Sequence, residues 1–206
     1  MHQQPIAEQL IDIGALQINM DQPFTWSSGI TSPVYCDNRL TMSYPQVRRQ
    51  IAKQFADQID PSHVDVIAGC ATAGIPHAAF TAESLHLPMI YVRSKPKGHG
   101  LENMIEGHVE AGDRVVVIED LISTGQSALN VVQALKDKGC EVVHVLSIFT
   151  YGLDEAEKQF KKSGMIYKSL ATFDEVASLL KGKGELSQGE YDALHQWRDH
   201  LVLKNA

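Results

Sequence analysis

The chain has 206 residues, of which 44% are hydrophobic and 21% charged, and its formal net charge at pH 7 is -7. A chain of this length can bury about 70% of its unfolded surface, which suits one large globular domain or one domain with a small appendage. The acidic balance argues against a nucleic-acid-binding surface, because phosphate backbones require a basic face. No apolar run approaches the roughly 20 residues of a membrane span, and the N-terminus lacks the pattern of a secretory signal.

The first sixty residues carry two helical patterns around a turn-rich segment. Apolar residues at helical spacing predict a helix within 5–16. Residues 23–42 hold turn signals between short β-type runs and resemble a hairpin. A second helix is predicted over 43–59, with Ser43 as its N-cap.

From residue 64 onward, strand and helix patterns alternate, which is typical of an α/β fold with a mostly parallel twisted sheet flanked by helices on both faces. Strands are predicted at 64–68, 89–92, 114–118, 142–149 and 165–169, and helices at 74–85, 126–138 and 153–162. Two further helices are predicted in the tail, at 172–181 and 187–203. We expect a single domain over 1–206, in which a small hood (about 1–42 and 170–206) covers a core (about 43–169).

The three cysteines lie far apart and form no metal-type spacing. Cys36, Cys70 and Cys140 are therefore expected to be reduced thiols in a cytoplasmic protein. The histidines His63, His77, His108 and His144 show no ligand spacing either, and surface or core positions are expected for them.

A segment of about twenty residues between Val92 and Arg114 shows no clear period. Segments of this length rarely stay structureless in ordered domains unless they act as lids or binding loops. Arg93, Lys95 and Lys97, with His99, make it cationic within an acidic protein. The composition favours a loop that closes over a polyphosphate, and the plain alternative is a solvated loop.

The most informative stretch runs from Arg114 to Ser127. A continuous apolar run stops at Glu119 and Asp120, a short turn with hydroxyls and a glycine follows, and a helical pattern starts at about Gln126. In open α/β sheets the carboxyl end of such a strand is where ligands bind. Backbone N–H groups in the turn suit a phosphate, whereas the carboxylates suit hydroxyls, a developing positive charge or a metal. A ligand with both a phosphate and a polyol fits; the alternative is a solvated strand end.

Residues 117–127 resemble the 5-phosphoribosyl 1-pyrophosphate (PRPP) motif of type I phosphoribosyltransferases. The resemblance implies that the two acids hold the ribose 2- and 3-hydroxyls and that the turn cradles the 5-phosphate. The implied PRPP-binding residues in this motif are Glu119, Asp120, Leu121, Ile122, Ser123, Thr124, Gly125, Gln126 and Ser127. No P-loop signature occurs in the sequence, which argues against a P-loop nucleotidase.

Residues 92–107 are similar to the mobile catalytic loop of orotate phosphoribosyltransferases. The resemblance implies that Arg93, Lys95, Lys97 and His99 contact the pyrophosphate of PRPP. Lys97, which would neutralise the leaving group, and His99 are the implied catalytic residues. In that family the loop reaches the neighbouring subunit's site, which implies a homodimer with shared sites.

Two more segments fit the same resemblance, although each has a structural alternative. Residues 24–36, otherwise a structural hairpin, look like the family's orotate segment and imply orotate contacts at Tyr35 and Cys36, together with Ser123 and Tyr151. Residues 68–76, otherwise a close helix–strand packing turn, match the pyrophosphate loop with Thr72 and Ala73 at the contact positions.

The chain also departs from the family pattern. Many members carry a lysine in place of Ser27, tyrosine-lysine in place of Thr72-Ala73, a lysine in place of Ser94 and an orotate-binding arginine in place of Tyr151. The differences suggest a branch that uses fewer cations, and they leave base recognition less defined than PRPP recognition.

The resemblance implies transfer of the phosphoribosyl group from PRPP to orotate in pyrimidine biosynthesis. Mg²⁺ is the implied cofactor, held mainly by PRPP oxygens and water without a protein metal site. Two alternatives stay open. One is a phosphoribosyltransferase for another base, such as a purine; the other is a non-catalytic PRPP-sensing regulator on the same fold that binds nucleic acid, which the acidic charge disfavours.

Overall fold

The computed structural model of the protein describes residues 4–26, 31–94 and 104–201. The helices are α1 (Ile6–Asp12), α2 (Pro45–Ala56), α3 (Gly74–Leu85), α4 (Gln126–Asp137), α5 (Asp154–Ser163), α6 (Phe173–Gly182) and α7 (Gln188–Asp199), with a short 3₁₀ helix at Asn38–Ser43. The strands are β1 (Leu16–Ile18), β2 (Phe24–Thr25), β3 (Thr31–Ser32), β4 (Val34–Cys36), β5 (Val66–Cys70), β6 (Met89–Val92), β7 (Ile105–Glu106), β8 (Arg114–Ile122), β9 (Glu141–Thr150) and β10 (Tyr167–Thr172).

A six-stranded sheet in the order β10-β9-β8-β5-β6-β7 forms the centre of the fold. All neighbours in it are parallel except β7, which pairs antiparallel with β6 at one edge. The predicted mostly parallel sheet is therefore confirmed. The chain runs outward from β5 to β6 and β7 and then returns to the other side of β5 at β8. The gap beyond the carboxyl ends of β5 and β8 is thus a topological switch point, where ligands bind in folds of this kind.

Apolar side chains cover both faces of the sheet. On one face, Ile67 and Ile118 belong to a buried cluster with Ile51 and Phe55 of α2. On the other face, Val117 packs in a second cluster with residues of α4 and α5. Burial on both faces explains why the strand that begins at Arg114 is a continuous apolar run rather than an alternating one.

The N- and C-terminal segments contact each other on the α2 side of the sheet. The Lys183 ammonium lies 2.7 Å from the Glu8 carboxylate, and the rings of Trp26 and Trp197 have centroids 6.2 Å apart. Strand β10 continues to Thr172 because it pairs with β9 as far as Thr150, so the tail leaves the sheet only at Phe173.

Several elements differ from the sequence-based prediction. Strand β8 does not end at Ile118 but continues to Ile122, because its backbone keeps pairing with β9 up to Thr150. The helix predicted from Ser43 begins at Pro45, and Ser43 instead closes the 3₁₀ helix. The segment without a period contains β7, which is too short to give a pattern.

None of the helices in the described ranges is both long and apolar enough to cross a membrane.

Gly74 allows α3 to begin directly against β8. A Cβ atom at this position would lie 2.5 Å from the Ile118 carbonyl oxygen, a backbone atom that cannot move aside. We expect Gly74→Ala to lower the free energy of unfolding by about 1–3 kcal/mol, measured by urea denaturation. Gly189 in α7 has no atom within 4 Å of such a Cβ, so Gly189→Ala is the matched control and should be neutral or stabilising by up to about 1 kcal/mol. Equal stability of the two variants would contradict this account of the β5–α3 turn.

Candidate active site

Two helices begin without capping side chains at the switch point. Helix α3 follows β5 through the turn that contains Thr72 and Ala73, and α4 follows β8 through the turn Ser123–Gly125. Neither helix has an N-cap side chain that accepts a hydrogen bond or an acid in its first turn. By contrast, α6 and α7 each have a complete capping box. The open N-termini of α3 and α4 therefore present N–H groups and positive dipole ends to anions at two neighbouring positions.

The turn before α4 depends on Gly125. Its φ of 81° lies in the left-handed region, and a Cβ there would lie 2.5 Å from the Phe160 ring. Only glycine satisfies both conditions without strain. The turn residues Ser123 and Thr124 are half-buried, whereas Gln126 and Ser127 are exposed. The predicted phosphate turn is thus brought to the open end of α4 in a form that a ligand can reach.

The adjacent carboxylates of Glu119 and Asp120 lie at the end of β8. Glu119 is only 6% exposed, and one of its oxygens accepts the Asp120 backbone N–H at 3.0 Å. Burial, together with the neighbouring Asp120 carboxylate, raises the pKa of Glu119 to about 8. Burial also raises the pKa of Asp120. The thiol of Cys70, at the end of β5, lies beside Glu119, and its pKa is raised well above the usual range, mainly by burial.

Strand β4 carries the predicted base segment to the same place. Tyr35 and Cys36 are half-buried, and the next buried residue, Asn38, donates from its side-chain amide to the Asp120 carbonyl oxygen at 2.7 Å. Burial raises the pKa of the Cys36 thiol, and the nearby Asp120 carboxylate raises it further. The base segment and the acid pair are therefore neighbours in the fold, although more than eighty residues separate them in the chain.

Tyr151 follows β9 at the same edge of the sheet. Its backbone N–H donates to the Ile122 carbonyl at 3.2 Å, and its ring is packed against Phe149, Trp26 and Trp197. The residue is 3% exposed, and burial raises the pKa of its phenol above the usual range. At this position the protein has a neutral phenol rather than a cation.

Arg93 stands where the predicted catalytic loop leaves the sheet. Its backbone N–H donates to the Met104 carbonyl at 2.8 Å, and its guanidinium lies 3.5 Å from the Glu106 carboxylate. The paired strands β6 and β7 hold the two ends of the intervening segment together. Lys95, Lys97 and His99 lie outside the described residues, as does Ser27.

Sequence reasoning missed Asn38, Arg39 and Cys70 as neighbours of the acid pair. No local pattern marks them, because their closeness to Asp120 or Glu119 arises from strand order. The described ranges contain no group of three or more His, Cys, Asp or Glu side chains that could hold a metal.

The comparisons with known proteins identify the family. A model described as "Phosphoribosyl transferase domain" matches residues 42–179. The chain is 53% identical over 198 residues to an orotate phosphoribosyltransferase from Oceanobacillus iheyensis, covering 95% of this chain and 98% of that relative. The chain belongs to the orotate phosphoribosyltransferase family. Its type I phosphoribosyltransferase fold agrees with the resemblance found in the sequence.

Solved structures of family members have the same fold. The orotate phosphoribosyltransferase from Aeropyrum pernix superposes with a TM-score of 0.75 at 29% identity, covering 88% of this chain and 99% of that one. The Mycobacterium tuberculosis orotate phosphoribosyltransferase, solved in complex with PRPP, superposes with a TM-score of 0.62 at 25% identity, covering 83% of this chain and 96% of that one.

The buried Glu119 should make the stability of the ligand-free protein depend on pH. Its folded pKa of about 8 lies above its ordinary value of 4.5, so the folded state holds a proton that the unfolded state has lost. The resulting stabilisation is complete below about pH 4.5 and is lost as the pH rises through about 8. We expect Glu119→Gln to be more stable than the wild type at pH 9, by an amount on the order of a few kcal/mol that shrinks toward pH 5.

Urea denaturation across this pH range measures the difference. Glu141→Gln, which changes an exposed carboxylate at the other end of β9, is the control. A constant difference between Glu119→Gln and the wild type from pH 5 to pH 9 would rule out the buried, protonated carboxyl.

Proposed function

We propose that the protein transfers the 5-phosphoribosyl group of PRPP to orotate, giving orotidine 5-monophosphate and pyrophosphate in de novo pyrimidine (UMP) biosynthesis. The observation that carries the proposal is the pair of open helix N-termini on either side of two carboxylates. PRPP has phosphate groups at both ends of a ribose, so its two anionic ends match the two positive helix termini and its ribose hydroxyls match the carboxyl groups between them. Relatives that bear the name orotate phosphoribosyltransferase over nearly the whole chain support the choice of reaction.

Each part of PRPP has a place in this arrangement. The turn Ser123–Ser127 at the start of α4 receives the 5-phosphate, and the turn with Thr72 and Ala73 at the start of α3 receives the pyrophosphate. Glu119 and Asp120 lie between the two turns and accept hydrogen bonds from the ribose hydroxyls. Leu121 and Ile122 complete the strand end that leads into the phosphate turn.

The base lies on the β4 side of the acid pair. Backbone groups near Tyr35 and Cys36 hydrogen-bond the pyrimidine, and Ser123 and Tyr151 complete its surroundings. Because Tyr151 is a buried, neutral phenol, it can offer a hydrogen bond to the orotate carboxylate but no charge.

The chemical step breaks the bond between C1 of the ribose and the pyrophosphate oxygen, which departs with the bonding electrons. The ribose passes through an oxocarbenium-like state, and N1 of orotate forms the new bond to C1 as its proton passes to the departing pyrophosphate. The Asp120 carboxylate stabilises the developing positive charge, and Glu119 adds to this once the nearby cationic ribose has driven off its proton. Arg93, Lys95, Lys97 and His99 neutralise the departing pyrophosphate, and closure of their loop excludes water that would otherwise hydrolyse the ribosyl cation.

The donor set at the site fits a magnesium ion that comes with its substrate. Mg²⁺ is usually held by one or two carboxylates together with substrate phosphates and water. The described residues offer the carboxylates of Glu119 and Asp120 but no third ligand. PRPP oxygens and water would therefore hold most of the ion, and when bound it would neutralise part of the polyphosphate charge.

The oligomeric state and the domain organisation of the protein are further proposals. The loop between β6 and β7 is expected to reach the site of a neighbouring copy, which makes the active form a homodimer with shared sites. The single domain over 1–206, with its hood and core, and the cytoplasmic location stay predictions from the sequence.

The choice of base can be measured directly. With PRPP and Mg²⁺ present, we expect the absorbance of orotate to fall as the nucleotide forms, and we expect no turnover of adenine, hypoxanthine or uracil under the same conditions. Turnover of a purine without loss of orotate would favour the alternative transferase. Binding of PRPP with no turnover of any base would favour a PRPP-sensing regulator.

The role of Lys97 predicts a split between catalysis and binding. We expect Lys97→Ala to lower kcat by about 100-fold or more, because the leaving pyrophosphate loses a cation in the transition state. PRPP affinity should change much less, since the turn Ser123–Ser127 and the acid pair remain. Lys158→Ala, on the exposed surface of α5, is the matched control. Near-normal turnover by Lys97→Ala would remove this residue from the mechanism.

A further inference from the structure

Asn38 is a buried amide between the base segment and the acid pair. It is 1% exposed and begins the 3₁₀ helix that follows β4. Its Nδ2 donates to the Asp120 carbonyl oxygen at 2.7 Å, and its Oδ1 accepts from the Cys36 thiol at 3.5 Å. Since a carbonyl can only accept and a thiol can donate, these two partners fix the orientation of the amide.

The hydrogen bond to Asp120 lies where β8 has lost one of its neighbours. Strand β5 pairs with β8 only as far as Ile118, whereas β8 continues to Ile122 along β9. The Asp120 carbonyl thus lies beyond the end of the β5 ladder, and the Asn38 side chain supplies its donor. A buried carbonyl without a donor carries a desolvation cost, so the position of Asn38 and the path of β8 depend on each other.

A second branch of the same network reaches α3. The backbone carbonyl of Asn38 accepts from the Thr41 hydroxyl at 2.6 Å, and that hydroxyl lies 3.3 Å from Nε2 of His77. Because the Thr41 hydrogen is already donated to Asn38, Nε2 must carry the proton of a neutral imidazole. His77 lies in the first turn of α3, next to the turn that contains Thr72 and Ala73. Asn38 is therefore connected to the base segment, the acid pair and the helix that follows the pyrophosphate turn.

We propose that Asn38 is a positioning residue for phosphoribosyl transfer, whose side-chain amide holds the base segment Tyr35–Cys36 at a fixed distance from the carboxylates that bind the ribose. The inference rests on the proposed function and adds a residue that touches neither substrate. Transfer requires N1 of the base to approach C1 of the ribose along one line, and misplacement on the order of 1 Å can cost about 100-fold in rate. One hydrogen bond between the two substrate-binding segments is suited to set that distance.

The test is a pair of substitutions assayed with both substrates. Asn38→Asp keeps the shape but replaces the amide donor with a carboxylate oxygen, and Asn38→Ser keeps a shorter donor. We expect Asn38→Asp to lower kcat/KM for orotate by about 10- to 100-fold, with KM for PRPP changed by less than about threefold. Asn38→Ser should retain more activity toward orotate than Asn38→Asp.

Asp65→Asn is the structural control. Asp65 receives three hydrogen bonds from Arg114 at the opposite end of β5 and β8, so its loss weakens the same strands far from the site. Kinetic constants per folded enzyme, with the folded fraction taken from circular dichroism, should be unchanged in this variant. Unchanged KM for orotate and unchanged kcat in folded Asn38→Asp would overturn the proposal. An equal rise in KM for orotate and for PRPP would overturn it as well.

If Asn38→Asp does not fold, Asn38→Ser takes its place in the test. Wild-type kinetic constants in Asn38→Ser would likewise overturn the proposal. The wild-type assay distinguishes failure of the proposed reaction from failure of the role proposed for Asn38. Failure of the wild type to consume orotate would reject the proposed function and this inference together, whereas wild-type turnover with unaffected variants would reject the role of Asn38 alone.

Discussion

The candidate site depends on the parallel pairing of β5 and β8. Parallel strands end at the same edge of a sheet, so the helices that follow them, α3 and α4, begin side by side. Neither helix has a capping side chain at its N-cap residue, which leaves N–H groups of both first turns available, although the Thr124 hydroxyl accepts from the Gln126 N–H at 3.4 Å. The carboxylates at the end of β8 separate the two helix starts. The positive positions of the site therefore come from the helix N-termini and the negative ones from the side chains of Glu119 and Asp120. Because the backbone supplies the positive positions, the site needs few cationic side chains among the described residues.

The fold and the turn at the start of α4 could be predicted from the sequence because their signals are local. The run from Val115 to Ile118 and the turn with Gly125 are each readable within a few residues. The end of β8 could not be predicted, because its last residues are held by pairing with β9 rather than by their own propensity. Strand β7 was missed because a two-residue strand has no period to detect.

The base half of the site was harder to predict for a different physical reason. The contact of Asn38 with Asp120 joins residues far apart in the chain, and the burial of Tyr151 depends on Trp26 and Trp197 from opposite ends of the sequence. Such contacts exist only once the N- and C-terminal segments have packed on the sheet. Resemblance to a family could point to Tyr35 and Cys36, but the surroundings of Tyr151 are set by tertiary packing that no local pattern shows.

The short ribbon of β6 and β7 has a consequence for how this family can diversify. The hydrogen bond from Arg93 to Met104 joins the two ends of the predicted catalytic loop at the sheet edge. Once the ends of a loop are fixed, each doubling of its length costs only about 0.6 kcal/mol of closure entropy. Insertions and deletions between these two residues can therefore accumulate with little effect on the sheet, so loop length can evolve separately from the stability of the fold.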